Sequence, residues 1–283
     1  MKWQGRRGSD NIEDRRRMSR GGMVGGGGLG LVVVALLVWA LGGDPMAVLQ
    51  QGGGGGIATS GDVQLTEADQ QAAEFVSVTL ADTEEIWSRI FQEQLGRTYS
   101  PTTLVLFKQV TASPCGNASG ATGPFYCPND KKVYLDTDFF VTLRQQLGAG
   151  GDFAAAYVVA HEVGHHVQDE LGILSQVNDV RQRSSEADSN ALSVRIELQA
   201  DCLAGLWARN AAEQFGSIEE GDIAEAMNAA AHIGDDTLQR NAGRRPMPDS
   251  FTHGTSEQRQ RWFATGFKGG DITACDTFAA QAL

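Results

Sequence analysis

The run His161-Glu162-Val163-Gly164-His165 holds the residues of this chain best suited to do chemistry. Side chains four residues apart lie on one face of a helix, so both imidazoles project the same way and can share one divalent cation. Glu162 then stands one step round the helix, beside the coordination position that the protein leaves open. Zinc in such a site brings the pKa of a bound water towards neutrality, and a neighbouring carboxylate takes the proton as that water attacks a carbonyl. The spacing therefore predicts a site for one Zn2+ ion and metal-assisted hydrolysis, with Glu162 as general base.

Zinc needs a third protein ligand. One common arrangement places a glycine three residues after the second histidine and a third histidine three residues further on, but those positions hold Gln168 and Leu171. The other draws a carboxylate from a second helix, and Glu197-Leu198-Gln199-Ala200-Asp201 offers one. Glu197 is the expected ligand. Asp201, one turn on, is expected to hold the far ring nitrogen of a ligand histidine, His161 in the first place. An acidic pair on a helix is ordinarily a solvated face, yet Ile196, Leu198, Cys202 and Leu203 place this one in a buried segment. Asp169, four residues after His165, is the matching candidate to orient that ring, with simple surface exposure as its alternative.

Charge developing on a tetrahedral intermediate calls for a donor opposite the metal. His253, in Thr252-His253-Gly254-Thr255-Ser256, is preferred to His232, which ends an Ala-rich helix; each also has an ordinary structural reading. His166 points about 100° away from His165 and is expected beneath the site or on the surface.

The elements that must carry these residues follow from periodicity and turn signals. A helix is expected from Thr66 to Gly96, then strands at 104–107 and 131–135, the second after the turn Pro128-Asn129-Asp130. Asp152 begins the helix of the histidines and Gly172 closes it. Further helices are expected at 186–215, 217–231 and 256–267. The predicted fold is α+β and mainly helical, with a small sheet. Val133-Tyr134-Leu135 reads as a core strand, and an exposed edge there would instead suit an extended peptide.

Net charge is −12 over 283 residues, and it is unevenly spread. Residues 1–22 carry seven basic and three acidic side chains, leaving −16 on the remainder. So acidic a body repels phosphate backbones and argues against a nucleic-acid partner. Behind the basic head, residues 23–43 are uncharged and contain the apolar run LGLVVVALLVWAL, long enough to span a bilayer. The basic flank predicts a cytoplasmic N-terminus and an exported body. An uncleaved signal anchor is favoured over a cleaved signal peptide, because Gly42-Gly43-Asp44-Pro45 is a poor cleavage site. Residues 44–61, with five consecutive glycines, form a linker, and the folded domain is expected over 62–283.

Cys115 and Cys127 flank a short Gly/Pro-rich segment and are expected to pair, leaving Cys202 with Cys275. Export would permit both bonds, and a free buried thiol is the alternative for the second pair.

With these residues in place, the chain resembles the neutral zinc metallopeptidase family of membrane-anchored bacterial proteins along essentially its whole length. The resemblance rests on the basic head, apolar segment and glycine linker, and on four motif blocks. These are Gly123-Pro124-Phe125-Tyr126-Cys127-Pro128 with Val133-Tyr134-Leu135-Asp136, HEVGHHVQ from His161, ELQADCLAG from Glu197, and HGTSEQRQRWF from His253. The zinc blocks also resemble the gluzincin class of zincin metalloproteases. The resemblance implies His161, His165 and Glu197 as ligands and Glu162 as the catalytic residue, and it draws attention to His253 and Arg259. The 31 residues between His165 and Glu197 exceed the spacing in thermolysin-like enzymes, so an extra loop is expected over 172–185.

The reading is thus a zinc endopeptidase, single-pass in the bacterial inner membrane, whose domain faces the periplasm or exterior and acts on peptides or proteins. The rivals are a non-catalytic zinc-containing envelope scaffold and a hydrolase of cell-wall amides.

Overall fold

The computed structural model describes residues 1–17, 65–119, 123–145 and 151–283. The expected membrane segment at 23–43 and the linker at 44–61 lie outside the described residues. Among the described residues no helix is long and apolar enough to cross a membrane.

The elements, in chain order, begin with β1 (Ile12–Asp14), α1 (Glu67–Leu95) and β2 (Thr103–Phe107). Then come the hairpin β3 (Val110–Ser113) and β4 (Gly116–Ser119), β5 (Phe125–Cys127), β6 (Lys132–Asp136) and α2 (Phe139–Gln145). The C-terminal half holds α3 (Asp152–Glu170), α4 (Ile173–Arg181), α5 (Glu186–Phe215), α6 (Asp222–His232), α7 (Asp235–Asn241) and α8 (Ser256–Gly269). The result is mainly helical with a small mixed sheet. Residues 217–221, expected to open a helix, form the loop before α6, and the expected loop at 172–185 contains helix α4. Ile173, Leu174, Val177 and Val180 lie along that helix, and three of the four are at least half-buried. The motif spacing showed the insertion but not its regular structure.

The histidine helix α3 is central because it is apolar nearly all round. Every residue from Phe153 to Gly164 is buried, and Val159, Val163 and Val167 are fully enclosed. Burial of each such valine contributes about 2 kcal/mol. Helix α5 lies against α3, its start capped by the Ser185 side chain, which accepts from the Asp188 N–H, and its end by Gly216 in the left-handed conformation. Helix α8 opens with a reciprocal capping box between Thr255 and Gln258 and crosses α5 in direct backbone contact. A Cβ on Gly205 would overlap the Phe263 carbonyl, and one on Gly266 would overlap that of Cys202. Only hydrogen at both positions permits this crossing, which brings Arg259 of α8 over Asp201 of α5.

The four-stranded sheet has the order β1-β2-β6-β5, with β1, β2 and β6 parallel and β5 antiparallel to β6. Val133, Tyr134 and Leu135 therefore belong to an inner strand whose two edges are taken. The free edge on that side is β5. Disulfides Cys115–Cys127 and Cys202–Cys275 use all four cysteines, joining the β3–β4 hairpin to β5 and α5 to the 3-10 turn at Ile272–Cys275.

The first fourteen residues are not a separate tail. Met1–Asp14 folds together with Glu67–Leu283 as one unit, so the domain has its first strand well before residue 62. Ile12, Glu13 and Asp14 pair with Leu104, Val105 and Leu106. Both terminal nitrogens of Arg6 bond the Asp82 carboxylate at 2.6 Å, and its guanidinium lies 4.5 Å above the Phe215 ring. Trp3 meets Phe75 edge to face at 5.6 Å. A three-residue strand inside a charged run carries no visible period, so composition alone made this segment look like a membrane flank.

Candidate metal centre

His161 and His165 lie one turn apart on α3, with ring centroids 4.8 Å apart and planes almost perpendicular. Glu197 of α5 meets both. Its carboxylate oxygens lie 3.1 Å from His161 Nε2 and 3.5 Å from His165 Nε2. Tetrahedral zinc, with bonds near 2.1 Å, spaces its ligand atoms about 3.4 Å apart, so this donor set fits the ion in chemistry and spacing. The approach of the two helices sets that gap. A Cβ on Gly164 would lie only 3.2 Å from the Ala200 carbonyl, so the small residue inside the HEVGH run lets Glu197 reach the rings.

Each of the two rings is held from behind, and by different chemistry. His161 Nδ1 lies 2.8 Å from Asp201 Oδ1, which leaves Nε2 for a metal. Asp201 is fully buried and carries more than this one bond. Arg259 donates from Nε at 2.8 Å and from Nη2 at 2.9 Å, and the Tyr157 hydroxyl donates to Oδ1. Burial alone would raise the pKa of Asp201, but the Arg259 charge and then the His161 ring hold it down at about 2. Burial likewise opposes charge on His161, yet Asp201 and then Glu197 prevail and raise it to about 10. Burial also opposes charge on His165, which Glu197 nonetheless raises. The carboxylates that favour charge on the two rings would also attract a cation, so cation binding competes with protonation there.

Asp169 does not orient His165. It accepts from the Tyr126 hydroxyl at 2.9 Å and faces Lys131 at 3.7 Å, on the sheet side of α3. The side of α3 turned towards α5 carries Gln168 instead. Its Oε1 lies 2.8 Å from His165 Nδ1, and its amide nitrogen donates to the Ile196 carbonyl at 2.7 Å and to Gln199 Oε1 at 3.1 Å. Gln199 donates in turn to the Cys275 carbonyl at 2.9 Å. A relay of two amides therefore runs from His165 to the residue of the terminal turn that is disulfide-bonded to α5. No sequence pattern marked Gln168, since three and four residues on are both near neighbours in a helix and only the packing of α5 selects between them. His166 is buried between the Ser100 carbonyl at 2.7 Å and the Tyr126 hydroxyl at 3.1 Å.

The site opens into a cleft of about 490 Å³, lined among others by Glu162, Phe125, Tyr126 and His253. Among the described residues the Glu162 carboxylate has no hydrogen-bond partner. His253 sits on the rim, 3.0 Å from Thr252 Oγ1 and 3.3 Å from Asp235 Oδ1. Asp235 also accepts the backbone N–H groups of Thr252, His253 and Gly254, fixing the loop, and its carboxylate raises the pKa of His253. His232 turns back on its own helix to the Asn228 carbonyl at 2.8 Å and does not line the cleft. A second group of carboxylates, Asp152, Asp222 and Glu225, surrounds no imidazole, and the α-amino group of Met1 lies 2.7 Å from Asp152 and 3.3 Å from Asp222.

Comparison with known proteins places these residues in a family. The chain matches, over residues 1–278, the family described as "Putative neutral zinc metallopeptidase". It is 46% identical to the uncharacterised protein YpfJ of Escherichia coli strain K12, covering 98% of this chain and 99% of that one. It is 41% identical to the uncharacterised protein Rv2575 of Mycobacterium tuberculosis strain H37Rv, covering 86% and 85%. No solved structure matches.

The amide relay and the Asp169 contact make separable predictions. Replacing Gln168 with Ala frees the His165 ring and should weaken zinc binding by roughly ten- to a hundredfold in a competition titration against a chelator. Asp169→Asn should leave that affinity within about twofold, because its partners belong to the sheet side. Equal losses in the two variants would refute the assignment.

Proposed function

The chain belongs to the neutral zinc metallopeptidase family, and from that membership and the geometry of its centre we propose that it is a zinc-dependent endopeptidase. The observation that carries the reading is the convergence of His161, His165 and Glu197 beside the unpaired carboxylate of Glu162 in an open cleft. Zinc held by those three residues would supply Lewis acidity and an acidified water. Glu162 takes the proton from the attacking water and delivers it to the amine nitrogen as the peptide bond breaks. His253, whose pKa the Asp235 hydrogen bond raises, donates to the oxygen that gains negative charge. The free edge of β5, whose Phe125 and Tyr126 line the cleft, offers backbone groups to an extended substrate. Asp201 and Gln168 hold the two rings in the tautomers that present Nε2.

We further propose that the folded unit works outside the cytoplasm and is attached to the bilayer through residues 23–43. Two disulfides that use every cysteine support an oxidising compartment. The pairing of β1 with β2 supports a topology other than the cytoplasmic N-terminus expected from the basic head. A strand cannot join a sheet across a membrane, so this reading puts residues 1–14 and the catalytic unit in one compartment.

Glu162→Gln should reduce cleavage by roughly a thousandfold while zinc content stays stoichiometric. The check is comparison of envelope peptides by mass spectrometry in cells carrying each form. An unchanged peptide pattern would leave the scaffold reading in possession.

The role given to His253 predicts a pH effect of definite sign. Asp235 raises the pKa of this ring, so the protonated donor is lost only as pH climbs through that raised value. In Asp235→Asn the alkaline limb of kcat/KM should move to lower pH, and a limb that stays in place would remove His253 from the reaction.

Cysteine labelling tests the shared compartment. Asp10→Cys and Arg244→Cys, both exposed positions, should react alike with a membrane-impermeant maleimide in intact spheroplasts. Labelling of position 10 only after permeabilisation, with position 244 open throughout, would restore a single crossing.

A further inference from the structure

The rim of the cleft carries a cation that the hydrolytic chemistry does not use. Helix α4 presents Leu174, Asn178 and Arg181 to the cleft, residues spaced four and three apart on one helical face. Arg181 is half-buried there and is held by neutral groups. Its Nε donates to Ser189 Oγ at 3.2 Å and its Nη1 to Asn178 Oδ1 at 3.3 Å. Among the described residues no carboxylate lies within 4.0 Å of its guanidinium, whereas Arg259 in the same cleft is met by Asp201 and His253 by Asp235. A basic side chain in the last turn of α4 also suits the helix dipole, but any outward-facing position would serve that purpose.

Both tethering bonds are longer than the usual 2.9 Å or so for N–H to oxygen, so they orient the fork without consuming its charge. A guanidinium is weakly hydrated and planar, and its paired N–H groups match the two oxygens of a carboxylate. The surrounding body is strongly acidic, at −12 overall, and repels polyanions at a distance. A single carboxylate delivered locally is the ligand that fits both facts. We propose that Arg181 is a specificity-determining residue that binds one carboxylate of the peptide, from an acidic side chain or from the C-terminus, on the α4 side of the scissile bond. Leu174, Leu238 and Phe125 line the cleft beside it, so the favoured substrate carries apolar residues near the bond and an acid further along. This inference rests on the peptidase reading of the site and names its substrate class.

The test uses the zinc-loaded full chain and a set of fluorescent decapeptides in which one Glu is walked through an apolar background. Each has Gln as its isosteric control and either a free or an amidated C-terminus. Cleavage is measured with wild type, and binding by anisotropy with Glu162→Gln, so that recognition is read apart from turnover. Wild type should prefer Glu over Gln at one position, or free over amidated termini, by roughly tenfold. The preference should fall to near unity in Arg181→Gln, be only partly recovered in Arg181→Lys, which keeps the charge but not the fork, and turn towards Lys-containing peptides in Arg181→Glu. A preference that survives amidation assigns a side chain, and one abolished by it assigns the C-terminal carboxylate; either supports the proposal. Selective binding without cleavage by wild type would keep Arg181 and end the peptidase reading. Cleavage with no preference anywhere, or a preference intact in Arg181→Gln, would overturn the assignment of Arg181 alone. Neither binding nor cleavage of any peptide would overturn both.

Discussion

A carboxylate with no exposure to water, that of Asp201, organises the arrangement of α3, α5 and α8. A lone buried anion costs several kcal/mol, and this one is tolerated because Arg259 bonds both its oxygens while Tyr157 and His161 complete its shell. Those three partners come from two different helices, so the charge is satisfied only when α3 and α8 are both seated on α5. The glycine-on-glycine crossing of α5 and α8 supplies the closeness that Arg259 needs. Fold and metal chemistry therefore meet at one residue: the group that fixes the His161 tautomer also locks the helices together.

The two candidate ligand histidines are treated unequally, for an electrostatic reason. Behind His161 stands a charged carboxylate neutralised by its own arginine, and behind His165 stands the neutral Gln168. A second buried carboxylate would need a second buried cation, and the described residues offer none at that position. The amide relay instead passes through Gln199 to the carbonyl of Cys275, whose sulfur is bonded back to Cys202 on α5. Closing a loop of 73 residues restricts the unfolded chain by about 4 kcal/mol. The same bond keeps the end of the relay in place, so the terminal turn, far away in sequence, belongs to the support of the metal centre.

Charge is spread over the cleft in a way that separates work from selection. On the proposed reading Glu162, Glu197 and Asp201 serve the metal and its water, while Asp235 bonds His253 and Arg259 is spent on Asp201. Among the described residues Arg181 is left with neutral company. On a body of this net charge, a cation in the cleft with no carboxylate partner among the described residues is what carries the proposal that it recognises the opposite charge on what enters.

Local rules were enough for much of this. Helical spacing alone put His161 and His165 on one face, set Glu162 beside them, and paired Glu197 with Asp201, because i and i+4 neighbours are a property of the helix and not of its surroundings. The strands at β2 and β6 and the long helices were legible for the same reason. What sequence could not decide was every choice between near-equivalent neighbours and every contact without a period. Gln168 rather than Asp169 supports His165 because α5 packs on one side of α3 and the sheet on the other. Val133–Leu135 is an inner strand because β2 and β5 cover both of its edges. Residues 1–14 looked like a membrane flank by their charge, yet Arg6 finds Asp82 and β1 finds β2 only once the chain has folded. Spacing along one helix is fixed by covalent geometry; which face meets which partner is fixed by the packing of segments far apart in the chain.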